Sequence, residues 1–402
     1  MRKYRTIKWI LMAWACMALV LGVQAQDDIK QQYDDMRKQM QQMERERPVP
    51  IKDIERLLNE ALSPGMAPKL SAGQKAELVG IALSAKKRAD GNDKALAMLE
   101  KLTQSPAFEA EGKANLRLMQ AEMLDGDQKY QEAIQLAESI AQDEQARPMQ
   151  RGQAYMQLAK SYSDVNEPKK MAEYAEMALE QYDNAAADAN FGYHTVNDIK
   201  WAGAQIRDTL LDYDKAMRFF SKMQEYTEGD YWAVPSDLEV AATLRKQGEY
   251  AKASDLYDSI AELEDKRYSS RALMPKAEMI LYDMDNEERG LMMMQRALES
   301  DEIHTHERYR ALLRLAKKMS DEGKRNAALE WYANNLQLPG ANERDVNRFS
   351  ATIYLEMGRL YQSMGKTEKA KEMYRKARDL EGGEMSSRVQ ARDAIEDIEY
   401  FE

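Results

Sequence analysis

The stretch Met357–Glu381 reads MGRLYQSMGKTEKAKEMYRKARDLE and sets small residues at fixed places: Gly358, Gly365, Ala370 and Ala377. Tyr361 and Tyr374 stand on either side of Ala370. The same order of small, bulky, glycine, small, aromatic and small-or-apolar positions returns at Ala241, Leu244, Gly248, Ala253, Tyr257 and Ile260. It returns again at Ala316, Met319, Gly323, Ala328, Tyr332 and Asn335. Looser copies run through Ala121 and Ala133 and through Ala159 and Met171, and weaker ones centre on Ala95, Ala216 and Gly290. The equivalent positions are 95, 133, 171, 216, 253, 290, 328 and 370. Their spacing of about 37 to 45 residues is that of stacked supersecondary units. Each unit is two helices that cannot bury their apolar faces alone, so neighbours must complete a continuous core.

Antiparallel helices approach closely only where a side chain is nearly absent. On that ground Gly358 and Ala377 are expected to bring two helices of one unit together, and Ala370 to meet the next unit. Tyr361 and Tyr374 would fill the wider gaps. Gly365 would close the turn, where a positive φ is open to glycine.

The pattern G-x-x-Y…G…A-x-x-x-Y-x-x-A over 357–381 resembles the tetratricopeptide repeat family, and the copies at 241–260 and 316–335 carry much of it. The resemblance covers about residues 75–382. It implies an all-α, right-handed solenoid of about eight helix-turn-helix repeats, with an N-terminal helix before them and a capping helix after. Two departures stand out. The family's Trp and Pro positions are mostly absent, and the period exceeds the usual 34, which longer helices would explain.

Composition agrees with long helices and short connections: 402 residues with only 10 prolines, 19 glycines and 8% aromatics. Residues 1–25 differ from the rest. Arg2, Lys3, Arg5 and Lys8 precede the apolar run ILMAWACMALVLGV, and Val23-Gln24-Ala25 offers a small-x-small exit. That is the pattern of an export signal, so the protein is expected to be periplasmic or secreted. The apolar run is shorter than the roughly 20 residues of a membrane span. A retained anchor is the alternative, and Cys16 sits in a poor lipoprotein box. Cys16 is the sole cysteine, so a mature chain from Gln26 has no disulfide, thiol nucleophile or thiolate metal site. Loss of the signal takes the formal charge from −11 to about −15. Such a balance disfavours nucleic acid and anionic membranes as partners.

Residues 26–50 form a polar helix ended by Pro48-Val49-Pro50. Ile29, Tyr33, Met36, Met40 and Met43 make an a/d seam. The seam could join copies into a homo-oligomer or pack on its own chain. Residues 51–382 hold the repeats, led in by IKDIERLLNEAL, and 383–402 form the capping helix beyond Gly382-Gly383. Extra residues fall at 183–197, 228–236 and 338–346. They bring Phe191, Tyr193, Tyr231 and Trp232 to connections, where they would either pack under their loops or form a site.

Catalytic signatures are missing. No Gly-x-Ser-x-Gly, His-Glu-x-x-His or glycine-rich phosphate loop occurs. His304-Thr305-His306 would face apart on a helix, so no metal or cofactor is expected. The Leu291–Met294 run reads as core through Met294. These features point to a non-enzymatic interaction scaffold of the cell envelope. The alternative is an exported all-α carbohydrate-active enzyme or glycan binder, which abundant carboxylates permit and scarce aromatics disfavour.

The resemblance places partners on the inner face of each unit's first helix. In this register that row includes Asn115, Glu122, Gln153, Lys160, Trp201, Gln205, Asp208, Arg245, Tyr282, Arg310, Lys317 and Arg359. Its C-terminal half is mostly basic, which would suit an acidic segment or a terminal carboxylate of an envelope or secreted protein.

Overall fold

The structure, a computed structural model, describes residues 28–185, 192–227, 233–299, 303–338 and 340–401. All regular structure among them is helical. The segment 1–25, Phe191, Tyr231, Trp232 and the side chain of Tyr193 lie outside the described residues. No described helix is long and apolar enough to cross a membrane.

The chain divides into two units, one ending at Asp212 and the other beginning at Tyr213. In the first, helices α1 (28–45) and α2 (Ile51–Ala61) precede the pairs α3/α4 (Ala72–Asp90, Asn92–Thr103), α5/α6 (Ala110–Gly126, Tyr130–Ala141) and α7/α8 (Pro148–Asp164, Pro168–Ala185). Helix α9 (Tyr193–Gln205) follows and runs into a π-helical segment, Ile206–Leu210. The second unit holds α10 (Tyr213–Tyr226), α11/α12 (Ala233–Lys246, Tyr250–Ala261) and the short α13 (Lys266–Ser269). Then come α14 (Leu273–Glu278) with its π-helical extension Met279–Asp283, α15 (Glu287–Glu299), α16/α17 (Thr305–Asp321, Arg325–Asn334), α18/α19 (Glu343–Ser363, Thr367–Asp379) and α20 (Met385–Phe401).

One turn geometry recurs. Residues 91, 128, 166, 211, 248, 285, 323 and 365 all have positive φ, each four or five residues before a repeat position. At Gly365 φ is 68°, and the next amide, Lys366 N, donates to Tyr361 O at 2.9 Å. Lys129→Leu124, Glu167→Tyr162, Glu249→Leu244 and Lys324→Met319 repeat that backbone bond at 2.8–2.9 Å. This is the Schellman closure of a helix C-terminus. The bulky residue of the sequence pattern is thus the one whose carbonyl accepts the closing bond. Glycine is absent at four of these places: Gln128, Asn166, Leu211 and Asp285 take the left-handed conformation instead. Leu211 is 61% exposed, so its side chain gains little packing for the strain. Leu211→Gly is expected to raise stability by about 1 kcal/mol, read as a higher urea midpoint.

All eight repeat positions are buried, Ala95, Ala133, Ala216, Ala253, Ala328 and Ala370 completely. The period exceeds the family's usual length because the helices are long: 17 residues in α7, 18 in α8 and 21 in α18. Gly358, however, does not serve a close backbone approach. A Cβ there would fall on the Tyr374 ring, 2.5 Å from Cδ1, so the glycine is a notch for a ring that is 1% exposed. Gly152 does the same for Tyr182. The expected close approach occurs at Gly290, where a Cβ would lie 2.9 Å from the backbone N and Cα of Leu281.

At the N-terminal end the a/d seam is spent within the chain. Tyr33, Met36 and Met40 are buried against Ile54, Leu57, Leu58, Leu78 and Val79 of α2 and α3, with Ile29 and Met43 partly buried beside them. This corrects the homo-oligomer expectation for residues 26–47: the face that would meet a second copy is already covered. Glu77, reached by the Tyr33 hydroxyl and Arg37, fixes the helix further. At the other end α20 buries Ala391, Ile395 and Ile398 against the cluster of Leu355, Ala370 and Tyr374, closing the second unit as a cap.

Candidate functional site

The first helix of each pair presents a polar stripe, and in each unit successive stripes line one cavity. In the first unit a cavity of 460 Å³ is lined by Gly73 and Ala76 of α3, Glu111, Asn115, Leu118, Met119 and Glu122 of α5, Arg147 beside α7, and Met149, Gln150, Gln153, Gln157 and Lys160 within α7. His194 and Asp198 of α9 complete it. Asn115, Glu122, Gln153 and Lys160 of the expected row therefore share one space. Charges in it are largely paired: Lys160 with Asp198 at 2.8 Å and Arg147 with Glu111 at 2.9 Å. The Gln150 amide donates to the Glu111 carbonyl and to Asn115 Oδ1, both at 2.7 Å. Gln157 donates to Ser161, whose hydroxyl donates to Asp125 at 2.5 Å. Glu122 makes no ion pair or hydrogen bond among the described residues. Solvent reaches it through the cavity, yet the enclosing walls desolvate its carboxyl and push its pKa up, with Lys160 opposing.

The second unit holds a cavity of 570 Å³ between α16 and α18, lined by Arg310, Leu313, Arg314, Ala316, Lys317, Ser320, Asp321, Tyr332, Thr352, Glu356, Arg359, Leu360 and Ser363. It gathers Arg310, Lys317 and Arg359 of the expected row. Most of its cations have internal partners. Arg310 pairs with Glu307 at 2.9 Å and Arg359 with Glu356 at 2.5 Å. Glu278 of α14 receives Arg314 at 2.8 Å, with Arg310 and Arg245 each at 3.9 Å. Arg245 also pairs with Asp283. The expected basic row is thus largely compensated here by carboxylates. Lys317 is the row's cation that has no partner among the described residues.

Other row members fall outside both cavities. Trp201 and Gln205 on α9 are half-buried, Asp208 is exposed on the π segment and pairs with Arg207, and Tyr282 is 52% exposed beyond α14. The row missed Glu278, Arg314 and Glu356. Arg314 lies one turn beyond Arg310 and Glu356 three residues before Arg359, so helical spacing could have found both. Glu278 answers cations from other helices and left no local signal.

The two histidines of 304–306 have structural roles. His304 caps α16, its Nδ1 accepting from the His306 amide at 3.3 Å. The His306 ring packs edge-on to Phe349 with centroids 5.2 Å apart. Burial lowers the His306 pKa, aided by Arg310, Arg348 and His304 and opposed by Asp345. The neutral ring is therefore preferred in the fold, a stabilisation complete above the ordinary value near 6.5 and lost as pH falls through the lowered folded value. Unfolding midpoints are expected to drop as pH falls from 7 to 5, and His306→Gln should flatten that slope.

No family model matches the chain, and no curated protein does. Among solved structures, the apo form of RapI is 12% identical, with 92% of this chain and 98% of that one covered and a TM-score of 0.49. The apo quorum sensor NprR from B. thuringiensis is 14% identical over 89% and 99%, with a TM-score of 0.42. A tetratricopeptide repeat protein from Parabacteroides merdae is 12% identical over 85% and 97%, at 0.35. Such scores carry no residue role or activity to this chain. Its own repeated helix pairs, Schellman turns and glycine notches decide the architecture. The fold is a tetratricopeptide-like repeat solenoid. The 460 and 570 Å³ cavities are walled mainly by first helices, the face that carries the expected row, whereas a further cavity of 540 Å³ in the first unit lies against α2 and the second helix α4.

Proposed function

We propose that this protein is a non-enzymatic scaffold, exported to the cell envelope, that receives extended segments of partner proteins along the first helices of its repeats. The observation that carries the reading is the convergence of successive first-helix stripes on one cavity in each unit, 460 and 570 Å³ in volume. Both mix apolar patches with paired charges, joined by amides in the first and by hydroxyls in the second, a lining suited to an extended chain that offers backbone groups as well as side chains. Chemistry on polysaccharide is not favoured, since among the described residues neither cavity lining holds a Trp or Phe on which a sugar ring could stack.

Two variants test the reading in the second unit. Lys317→Glu reverses the unpartnered charge, and Ser320→Trp fills the cavity from α16. Both should keep their unfolding midpoints within about 0.5 kcal/mol, since neither breaks a described side-chain contact. Both should lose the proteins that crosslink to wild type in its own envelope. Undiminished crosslinking by both would contradict the reading. Arg310→Glu is unsuitable, because it would set a third carboxylate beside Glu307 and Glu278 and unfold the site it probes.

A further inference from the structure

The two cavities differ in the charge they leave unanswered. In the first unit Lys160 is held by Asp198 at 2.8 Å and Arg147 by Glu111 at 2.9 Å, and among the described residues Glu122 remains without a hydrogen bond or ion pair, influenced only at longer range by Lys160 and His194. Around it the cavity offers uncommitted amide groups. Gln153 makes no hydrogen bond among the described residues. Asn115 uses its Oδ1 to accept from Gln150, which leaves its NH₂ for another acceptor. Gln150 itself is 4% exposed and fixed by three bonds, so the wall that orients Asn115 is rigid. Leu118, Met119 and Met149 supply apolar surface beside these groups. A carboxylate enclosed by low-dielectric walls gains most from an incoming cation that is itself hydrogen-bonding, and an aliphatic stem can lie on the apolar residues.

We propose that the first-unit cavity is a subsite for the positively charged side chain, lysine or arginine, of a bound peptide. Glu122 is its counter-ion, and Asn115 and Gln153 engage the adjacent peptide groups. The cavity volume accommodates one long side chain and the backbone that carries it. An acidic side chain is refused, because it would bring a second unpaired carboxylate to Glu122. This inference rests on the peptide-binding reading and deepens it by naming what one site selects.

The test is an array of N-acetylated random peptides, so that no free α-amine competes with side chains, probed with the labelled chain and with its Glu122→Gln variant. Gln preserves the shape of the side chain, and helicity by circular dichroism checks the fold. Wild type should select peptides carrying Lys or Arg at one position roughly tenfold over matched peptides with norleucine there. Glu122→Gln should bind the norleucine peptides as wild type does and lose the preference. Selection of peptides by wild type with no basic preference, or a preference that survives Glu122→Gln, overturns the subsite while leaving the scaffold standing. Failure of wild type to select any peptide overturns the scaffold reading itself.

Discussion

Tyr374→Ala is expected to destabilise the second unit by about 4 kcal/mol. The ring is 1% exposed and fills the notch left by Gly358, and its hydroxyl donates to Gln362 Oε1 at 2.7 Å. Truncation removes the buried apolar surface and leaves a ring-sized void between α18 and α19. Gly358→Ala alone should cost about 2 kcal/mol, since its methyl would press on a ring that packing holds in place. Combined, the two changes should cost less than their sum by at least about 1 kcal/mol, because the new methyl enters the space the ring has left. Urea denaturation of the four proteins measures this coupling. Strict additivity would show that Gly358 is not reserved for the ring.

Gly290→Ala is expected to cost about 3 kcal/mol for a different reason. Its Cβ would meet Leu281 at 2.6 Å from Cβ and 2.9 Å from the backbone N and Cα. Backbone cannot rotate away as a side-chain tip can, so α15 must part from the π-helical segment Met279–Asp283. The burial of Met294 and Ala297 on the same helix would be disturbed with it. Gly80 supplies the control. It lies inside α3 with nothing within 4 Å of its added Cβ, so Gly80→Ala should stabilise by about 0.5–1 kcal/mol through helix propensity. Opposite signs for two helical glycines would tie the effect to the close approach.

These contrasts mark what the sequence could and could not reveal. The repeat was legible because its turn demands particular residues: a left-handed position at 248, 323 or 365, and an apolar residue four before it that accepts the closing bond. Position 211 shows the limit, since leucine stands where glycine would announce the turn. The work of each small residue was less legible. Gly358 and Gly290 look alike as letters, yet one makes room for a ring and the other for a backbone. The same holds for α1, whose heptad seam suits a second copy or a neighbouring helix equally well. Only the apolar faces of α2 and α3, brought beside it by folding, decide between them.

The candidate site was read in part. The resemblance set Asn115, Glu122, Gln153, Lys160, Arg310, Lys317 and Arg359 in one row, and in the structure the first four line one cavity and the last three line another. Spacing did not foresee how their charges would be answered. Glu278, drawn to cations of α11 and α16, neutralises much of the basic row from a distance in sequence that periodicity does not reach. Under the proposed function each cavity selects through its own unanswered group, Glu122 in the first unit and Lys317 in the second, and not through the sign of the whole row.

The central claim is that partners lie on the first-helix face. The most direct measurement places a photo-crosslinking amino acid at Gln153, at Ser320 and, on the second helix of the last pair, at the exposed Lys369. Each variant is then irradiated in the protein's own cells. The account predicts discrete adducts with other proteins from Gln153 and Ser320 and none from Lys369. Adducts from Lys369 alone, or equally from all three positions, would contradict it.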